Sequence, residues 1–543
     1  MKREDLIVYE IYVKSFKDSN NDGIGDLNGI KEKLPYLKEL GINYIWLTPI
    51  YQTPNIDNGY DISNYYKLNP NYGSMRDFKN LLKTAKKHNI YIMLDMVFNH
   101  TSIYHKWFQK ALTNDKKYQD FYFFEKNIND KPPTNWISKF SGSAWKYVDK
   151  LNLWYLHLFS EKQADLNWEN QKVRKEIFKI TNFWLKKGVK GLRFDVINLI
   201  SKPTEKPWKD DLKFFDGKRY YTDGKNVNKY LEELNKKTFS KYQNVFTVGE
   251  FSSINFKNLA EYSNSKNNNL DMGFMFHHLK TDYVNDQKWT YTEDKKFDDF
   301  KKIIIDWQLY QQKHGGWIAN FLSNHDQPRH LSRFGDDKKY HFQSATCFAV
   351  CYFFLRGTPF IFYGEEIGQT NLYNDKIEQF NDIESINAYK ELKTKKVSER
   401  EILKIINQKS RDNGRSPFAW TNQRYFGFSD HEPWLEYKNI YNITLENDLK
   451  NKDSIFNFYQ KIINLRKNNQ IFKSGKIKFI EENNQNIFVY QRYIKNKYFT
   501  IILNLNNQKE KYKTKENQKI ILNNYQDFDQ NYLNPYQAII IEE

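Results

Sequence analysis

Two patterns of apolar residues alternate along the first two-thirds of the chain. Compact runs of strand length, IVYEIYV (7–13), NYIWL (43–47), IYIMLDMV (90–97), KGLRFDV (190–196), NVFTVGE (244–250), LDMGFMF (270–276), IANFLSN (318–324) and PFIFYGE (359–365), are the first. Continuous apolar runs of this length predict strands buried on both faces, as in a parallel sheet. Between them apolar residues recur at helical spacing. Ile30, Leu34, Leu37 and Leu40 stop at Gly41; Phe78, Leu81, Leu82 and Ala85 precede the third run; Val173, Ile177, Ile180 and Trp184 precede Gly188 and the fourth. Eight strands with intervening helices predict an α/β protein, a closed (β/α)8 TIM barrel.

Two interruptions and a change of pattern divide the chain further. Residues 1–100 and 169–466 are read as the barrel, with an insertion at about 370–451 after the eighth strand. Residues 101–168, rich in Trp, Tyr, Asn and Pro, are too long for a plain loop and predict an inserted subdomain over the barrel mouth. From 467 to 543, KIKFI, NIFVYQRYI, YFTIILNL, KIILNN and QAIIIEE are joined by Asn- and Lys-rich turns, which predicts an antiparallel β domain.

Composition narrows the function classes. The chain has 543 residues, 17% of them aromatic, enough for a large core and for rings that stack on sugars. Its net charge of +18 comes from Lys scattered through the chain, not from a basic arm, and no nucleic-acid recognition module is visible. No apolar run reaches the ~20 residues that cross a bilayer. Cys347 and Cys351, four apart in an apolar run, are expected to be buried free thiols, which fits a reducing cytoplasm. A small-molecule substrate, no organic cofactor and a monomeric state are expected.

The chemistry should sit at the C-terminal ends of the strands, where the loops of such a barrel converge. The third strand delivers Asp95, Asn99 and His100; the fourth, Arg193 and Asp195; the fifth, Glu250; the seventh, Asn324, His325 and Asp326. Glycoside cleavage needs one carboxyl group to protonate the leaving oxygen and a second to attack the anomeric carbon. Arg193, two residues before Asp195 on the same strand face, should keep that carboxylate ionised, as a nucleophile requires. Glu250, after the apolar run 245–248 and Gly249, is expected in a drier setting that suits an acid. A separate loop, DSNNDGIGD, places Asp18, Asn20, Asp22 and Asp26 at alternate positions around Gly23 and Gly25, as in the first half of an EF-hand, without the closing Glu. It predicts structural Ca2+, with Mg2+ as an alternative occupant.

The segments DMVFNH, GLRFDV, FTVGE and SNHD, in that order, resemble the conserved regions of the α-amylase superfamily of glycoside hydrolases. The resemblance implies Asp195 as nucleophile, Glu250 as general acid/base, Asp326 as the third acid, and Arg193, His100 and His325 around the bound sugar. It also implies a ligand role for the Ile24 carbonyl in the metal loop. QADLNWEN (163–170) is similar to the hallmark of the exo-acting α-glucosidase branch, with Ala164 where Pro is commoner. Asp61 in NGYDISNYY and Arg415 in SRDNGRSPFAW match the pair that grips the non-reducing glucose in such enzymes, with Tyr60 stacked on it.

Within that branch MGFMFHHLKTDYVNDQKWT (272–290) is similar to the phosphotrehalase pattern, as are DGKRYYTDG and VGEFSS. His277, His278, Lys280 and Lys288 would then place cations on the leaving-group side, where a sugar phosphate lies. The resemblance implies hydrolysis of trehalose 6-phosphate with retention. An oligo-1,6-glucosidase, with which Val196 is also compatible, and a glucosyl transferase or isomerase on the same scaffold are the alternatives.

Overall fold

A computed structural model describes residues 1–292, 297–438, 442–480, 484–514 and 518–543. Eight parallel strands, β1 (Val8–Ile11), β2 (Tyr44–Leu47), β3 (Tyr91–Val97), β4 (Gly191–Asp195), β5 (Phe246–Glu250), β6 (Met272–Phe274), β7 (Ala319–Asn320) and β8 (Thr358–Phe362), form one sheet. Their order is β6-β5-β4-β3-β2-β1-β8-β7, so each lies beside its neighbours in sequence. A parallel bridge from Gly273 to Ile318 joins the two edges and shuts the ring. The barrel read from the apolar runs is therefore present. Its seventh strand is shorter than IANFLSN predicts, because the chain leaves the sheet after Asn320 and turns Asn324, His325 and Asp326 across the mouth.

The helices form where the periodicity places them. α1 (Leu34–Leu40) buries Leu34, Leu37 and Leu40 and ends at Gly41, whose φ of 100° is accessible to glycine without a Cβ clash. α2 (Met75–Lys87) starts at a Ser74–Asp77 capping box. α3 (Gln171–Lys186) buries Val173, Ile177, Ile180 and Trp184. The exit of β5 depends on two glycines. A Cβ on Gly249 or Gly273 would lie 2.6 or 2.3 Å from the Phe251 ring, so that ring fills space only glycine leaves free.

The segment between β3 and α3 carries a three-stranded antiparallel sheet, in the order Phe124–Lys126, Leu153–Leu156, Trp145–Val148. Its small core joins Trp136, Trp145, Leu156 and Leu158 to Val196, Leu199, Trp208 and Tyr221 from the stretch after β4. That second contribution is not announced by hydropathy. After β8, two helices, α4 (Ile383–Thr394) and α5 (Glu399–Lys409), bury Leu392, Ile402 and Ile406 together. No helix among the described residues is long and apolar enough to cross a membrane. Cys347 and Cys351 are buried free thiols.

All five expected C-terminal strands form. They are β9 (Lys476–Ile480), β10 (Ile487–Ile494), β11 (Lys497–Asn504), β12 (Lys519–Asn523) and β13 (Ala538–Glu542), antiparallel in the order β9-β10-β11-β13-β12. Arg492 of β10 joins this sheet to the barrel. Its guanidinium donates to the carbonyls of Phe354 (2.6 Å), Leu355 (3.0 Å), Phe472 (3.1 Å) and Gly475 (2.8 Å). Phe354 and Leu355 end the helix before β8, so a buried cation satisfies carbonyls that the helix leaves open. Arg492→Met should strand those acceptors and lower stability by on the order of 3 kcal/mol. Urea unfolding checks this, and an unchanged midpoint would show that the clasp contributes nothing.

Candidate active site

Residues two apart on a strand face the same side. Arg193 and Asp195 of β4 therefore both point into the barrel, with Asp95 of β3 in register beside Arg193. Arg193 is 1% exposed at its side chain and binds three carboxylates. Nη1 donates to Asp95 (2.8 and 2.9 Å) and to Asp195 (2.8 Å), and Nη2 pairs with Glu250. Trp46 lies 4.9 Å from the guanidinium and donates through Nε1 to Asp95. One cation thus brings the two acids read from the strand ends to a single point.

Two electrostatic expectations are corrected. Asp195 is not depressed. Burial lifts its carboxyl to about 6, Arg193 works against that, and the Asp95 charge adds to it. Desolvation outweighs the guanidinium because Arg193 is shared among three acids. Glu250 is not the drier group. Its side chain is 12% exposed against 9% for Asp195, because it ends β5 and reaches over Arg193 into the cavity. Val196, next after Asp195, has φ of 33°, a left-handed conformation that is strained for a β-branched residue.

The other side of the site is built on β1 and the turn after β7. His325 Nδ1 bonds Glu10 (2.6 Å) and Nε2 faces Asp326 (3.2 Å). Burial pulls the imidazole down, but Asp326 and Glu10 lift it to about 9, so it is a cation at neutral pH. Asp326 also accepts from Arg415 (2.9 Å) and faces Arg411 (3.4 Å); burial opposes its charge, yet these cations hold it well below the usual carboxylate range. Tyr60 lies parallel to His325 and donates to Asp95. His100 Nε2 contacts the Tyr60 carbonyl (3.1 Å), and its ring packs on Phe159.

Asp61 and Arg415 do not pair. Asp61 is fully buried, accepting from Thr53 and from the amides of Ile56 and Asp57, and so shapes its own loop. Arg415 donates to the His325 carbonyl and Asp326. The acid–arginine pair at the cavity is four residues earlier on both segments. Arg411 meets Asp57 at 3.1 Å and is fixed by Asp382 at 2.7 Å. Gln163 donates to Asp57 (3.0 Å) and contacts His100, which gives that buried amide a positioning place in the wall. Each sequence segment offers two candidates four apart, DNGYD and RDNGR, and only the fold chooses between them.

A cavity of about 250 Å3 opens above Asp195 and Glu250, with Asp57, Tyr60, His100, Asp326 and Arg411 also in its wall. Lys280 and Lys288 line it as well; Lys288 pairs with Glu384 (2.6 Å) and Lys280 faces exposed Asp286 (3.6 Å). His277 and His278 do not add to that charge. Burial lowers both to about 4; His278 contacts the Phe321 carbonyl, and His277 borders a neighbouring groove. Sequence reading missed Lys139, Phe140 and Glu384, which also line the cavity.

The Asx-rich loop is folded tightly. Asp18 accepts from the amides of Asn20, Asn21 and Gly23 and from Ser429 Oγ. Asp22 accepts from Ile24 N, and Asp26 caps the following helix through Gly29 N. Among the described residues no group of three His, Cys, Asp or Glu stands together as a metal cluster.

Residues 10–475 match the model of the alpha amylase catalytic domain. The trehalose-6-phosphate hydrolase of Bacillus subtilis (strain 168) is 45% identical over 501 residues, covering 92% of this chain and 88% of that protein. The oligo-1,6-glucosidase of Bacillus cereus is 43% identical over 498 residues, with 90% and 88% covered. The crystal structure of Bacillus licheniformis trehalose-6-phosphate hydrolase superimposes with a TM-score of 0.93 at 43% identity, covering 99% of both chains.

Asp195 generates a stability prediction. Its folded value of about 6 lies above the ordinary 3.8, so the protonated form is favoured by folding and that contribution is lost as pH rises through 6. Asp195→Asn, which stays neutral, should therefore stabilise the protein at pH 7.5 by roughly 1–3 kcal/mol, and by less at pH 5. Thermal unfolding at the two pH values measures it. A variant less stable than the parent at pH 7.5 would contradict the burial argument.

Proposed function

The chain belongs to the α-amylase family, and from that premise we propose that it is a retaining, exo-acting α-glucoside hydrolase cleaving trehalose 6-phosphate to glucose and glucose 6-phosphate. Glu250 protonates the bridging oxygen while Asp195 attacks the anomeric carbon; glucose 6-phosphate leaves, and a glucosyl ester to Asp195 remains. Glu250, now a carboxylate, takes a proton from water, which attacks the same carbon, frees glucose and restores both groups. Their common bond to Arg193 sets both acids at one cavity, which supports a reaction in which they act on the same anomeric carbon. Asp326, held ionised by His325, Arg411 and Arg415, suits a residue that grips hydroxyls and opposes the positive charge developing on the ring. Asp57 and Arg411 would close the far end around one glucose, which favours chain ends.

The observation that carries the substrate is Lys280 and Lys288 in the wall of the cavity that holds Asp195 and Glu250. Identities of 45% and 43% to the two named activities do not choose between them. The two lysines favour the phosphorylated sugar, because a phosphate monoester is close to a dianion at neutral pH. We expect kcat/KM on trehalose 6-phosphate to exceed that on trehalose and isomaltose by at least about 100-fold. Preference for isomaltose would instead assign an oligo-1,6-glucosidase, and a rearranged disaccharide among the products a transferase or isomerase.

We further propose that the loop of Asp18, Asn20, Asp22, Ile24 and Asp26 holds Ca2+, or Mg2+, as a structural ion. All its donors are hard oxygens, Asp18 and Asp26 are buried, and neither they nor Asp22 form an ion pair among the described residues. A divalent cation would offset that charge. Calcium should raise the thermal midpoint by a few degrees and EDTA should reverse it; Asp22→Ala should abolish the response. Absence of any shift in the parent would remove the metal from this loop. The free buried thiols support a reducing cytoplasm as the place of action, and we propose a monomer.

A further inference from the structure

We propose that Lys139, from the loop over the barrel mouth, is the innermost phosphate ligand of this cavity, acting with Lys280 and Lys288. The inference rests on the reading of the substrate as a sugar phosphate and adds a residue to it.

Three observations converge on Lys139. Its side chain lines the same cavity as Glu250, Lys280 and Lys288. Its Nζ makes one hydrogen bond, to Ser252 Oγ at 3.1 Å, and forms no ion pair among the described residues. An ammonium held in a wall with a hydroxyl but no carboxylate is a cation awaiting an anion, since leaving it uncompensated costs free energy. Lys288, by contrast, already has Glu384, and Lys280 faces Asp286.

Its placement identifies which end of a disaccharide it would meet. Ser252 follows Glu250 by two residues and is fixed by Asn198, which donates to its carbonyl (2.9 Å) and accepts from its amide (3.0 Å). Lys139 is therefore pinned on the side of the proton donor, where the leaving sugar lies. The adjacent Phe140 lies under the guanidinium of Arg411 (4.9 Å), on the side of the Asp57 pair. One loop thus touches both ends of the site.

The surroundings explain why the ammonium is poised. Burial, followed by the Lys218 and Lys280 charges, lowers Lys139 to about 7, while Asp216 and Glu384 oppose the fall, and the Tyr221 ring lies 5.9 Å away. A dianion entering beside these ammonium groups would hold the proton on Lys139, which unlike Lys288 and Lys280 has no carboxylate partner among the described residues.

The test uses the full-length protein with p-nitrophenyl α-glucoside as reporter and glucose 6-phosphate or glucose as competing ligand. Lys139→Met should weaken inhibition by glucose 6-phosphate about 10- to 100-fold. The inhibition constant of glucose should move less than about threefold, and Lys139→Arg should recover most of the loss. In the parent, glucose 6-phosphate should bind more weakly as pH rises through 7, and this dependence should flatten in the Arg variant, whose charge persists. Equal weakening of both inhibitors, or no weakening of either, would overturn the assignment of Lys139. A parent that binds glucose 6-phosphate no better than glucose would overturn the sugar-phosphate reading itself, and the inference with it.

Discussion

Three carboxylates converge on one guanidinium at the centre of this molecule, and the rest of the site is arranged around that fact. Arg193 lies on β4 between Asp95 of β3 and the end of β5, so the register of three parallel strands fixes Asp95, Asp195 and Glu250 before any ligand arrives. Without that charge three acids could not be packed together in so dry a place. With it, the field is divided among them, which is why Asp195 keeps a raised proton affinity although it touches an arginine. The closed barrel is what makes the register rigid.

A second charge network runs across the mouth. Arg411 is held by Asp382 and Asp57 and approaches Glu384 at 3.6 Å, and Glu384 in turn holds Lys288. The end of the cavity that would grip glucose and the end that would grip phosphate therefore share one carboxylate, contributed at the start of α4. The insertion after β8 is part of the site, not an ornament on the barrel.

Much of this was legible in the sequence because strands buried on both faces write themselves as continuous apolar runs, and because the last residue of such a run must face the mouth. Asp195 and Glu250 stand out for that reason, and Asp326 by its place just beyond the seventh run. The pair Asp57–Arg411 does not, since both segments repeat the same residue type four positions on and only folding decides which copy faces inward. Lys139 was invisible for a different reason. It is one lysine in a Lys-rich chain, on a loop 111 residues before Glu250, and nothing local marks the one that faces the cavity. The neutral state of His277 and His278 likewise follows from burial, which composition does not reveal.

The arginine clasp between β10 and the end of the helix before β8 has a consequence for how the molecule is made. β13, the last strand of the chain, lies inside the C-terminal sheet between β11 and β12. That sheet is incomplete until β13, which follows all its other strands in the chain, has been inserted. The carbonyls that Arg492 satisfies belong to the approach to β8, so the final stave of the barrel lacks its support until β10 is in place. Completion of the catalytic half is thereby tied to a segment that follows it in the chain, and a nascent chain has no finished pocket until that segment has folded.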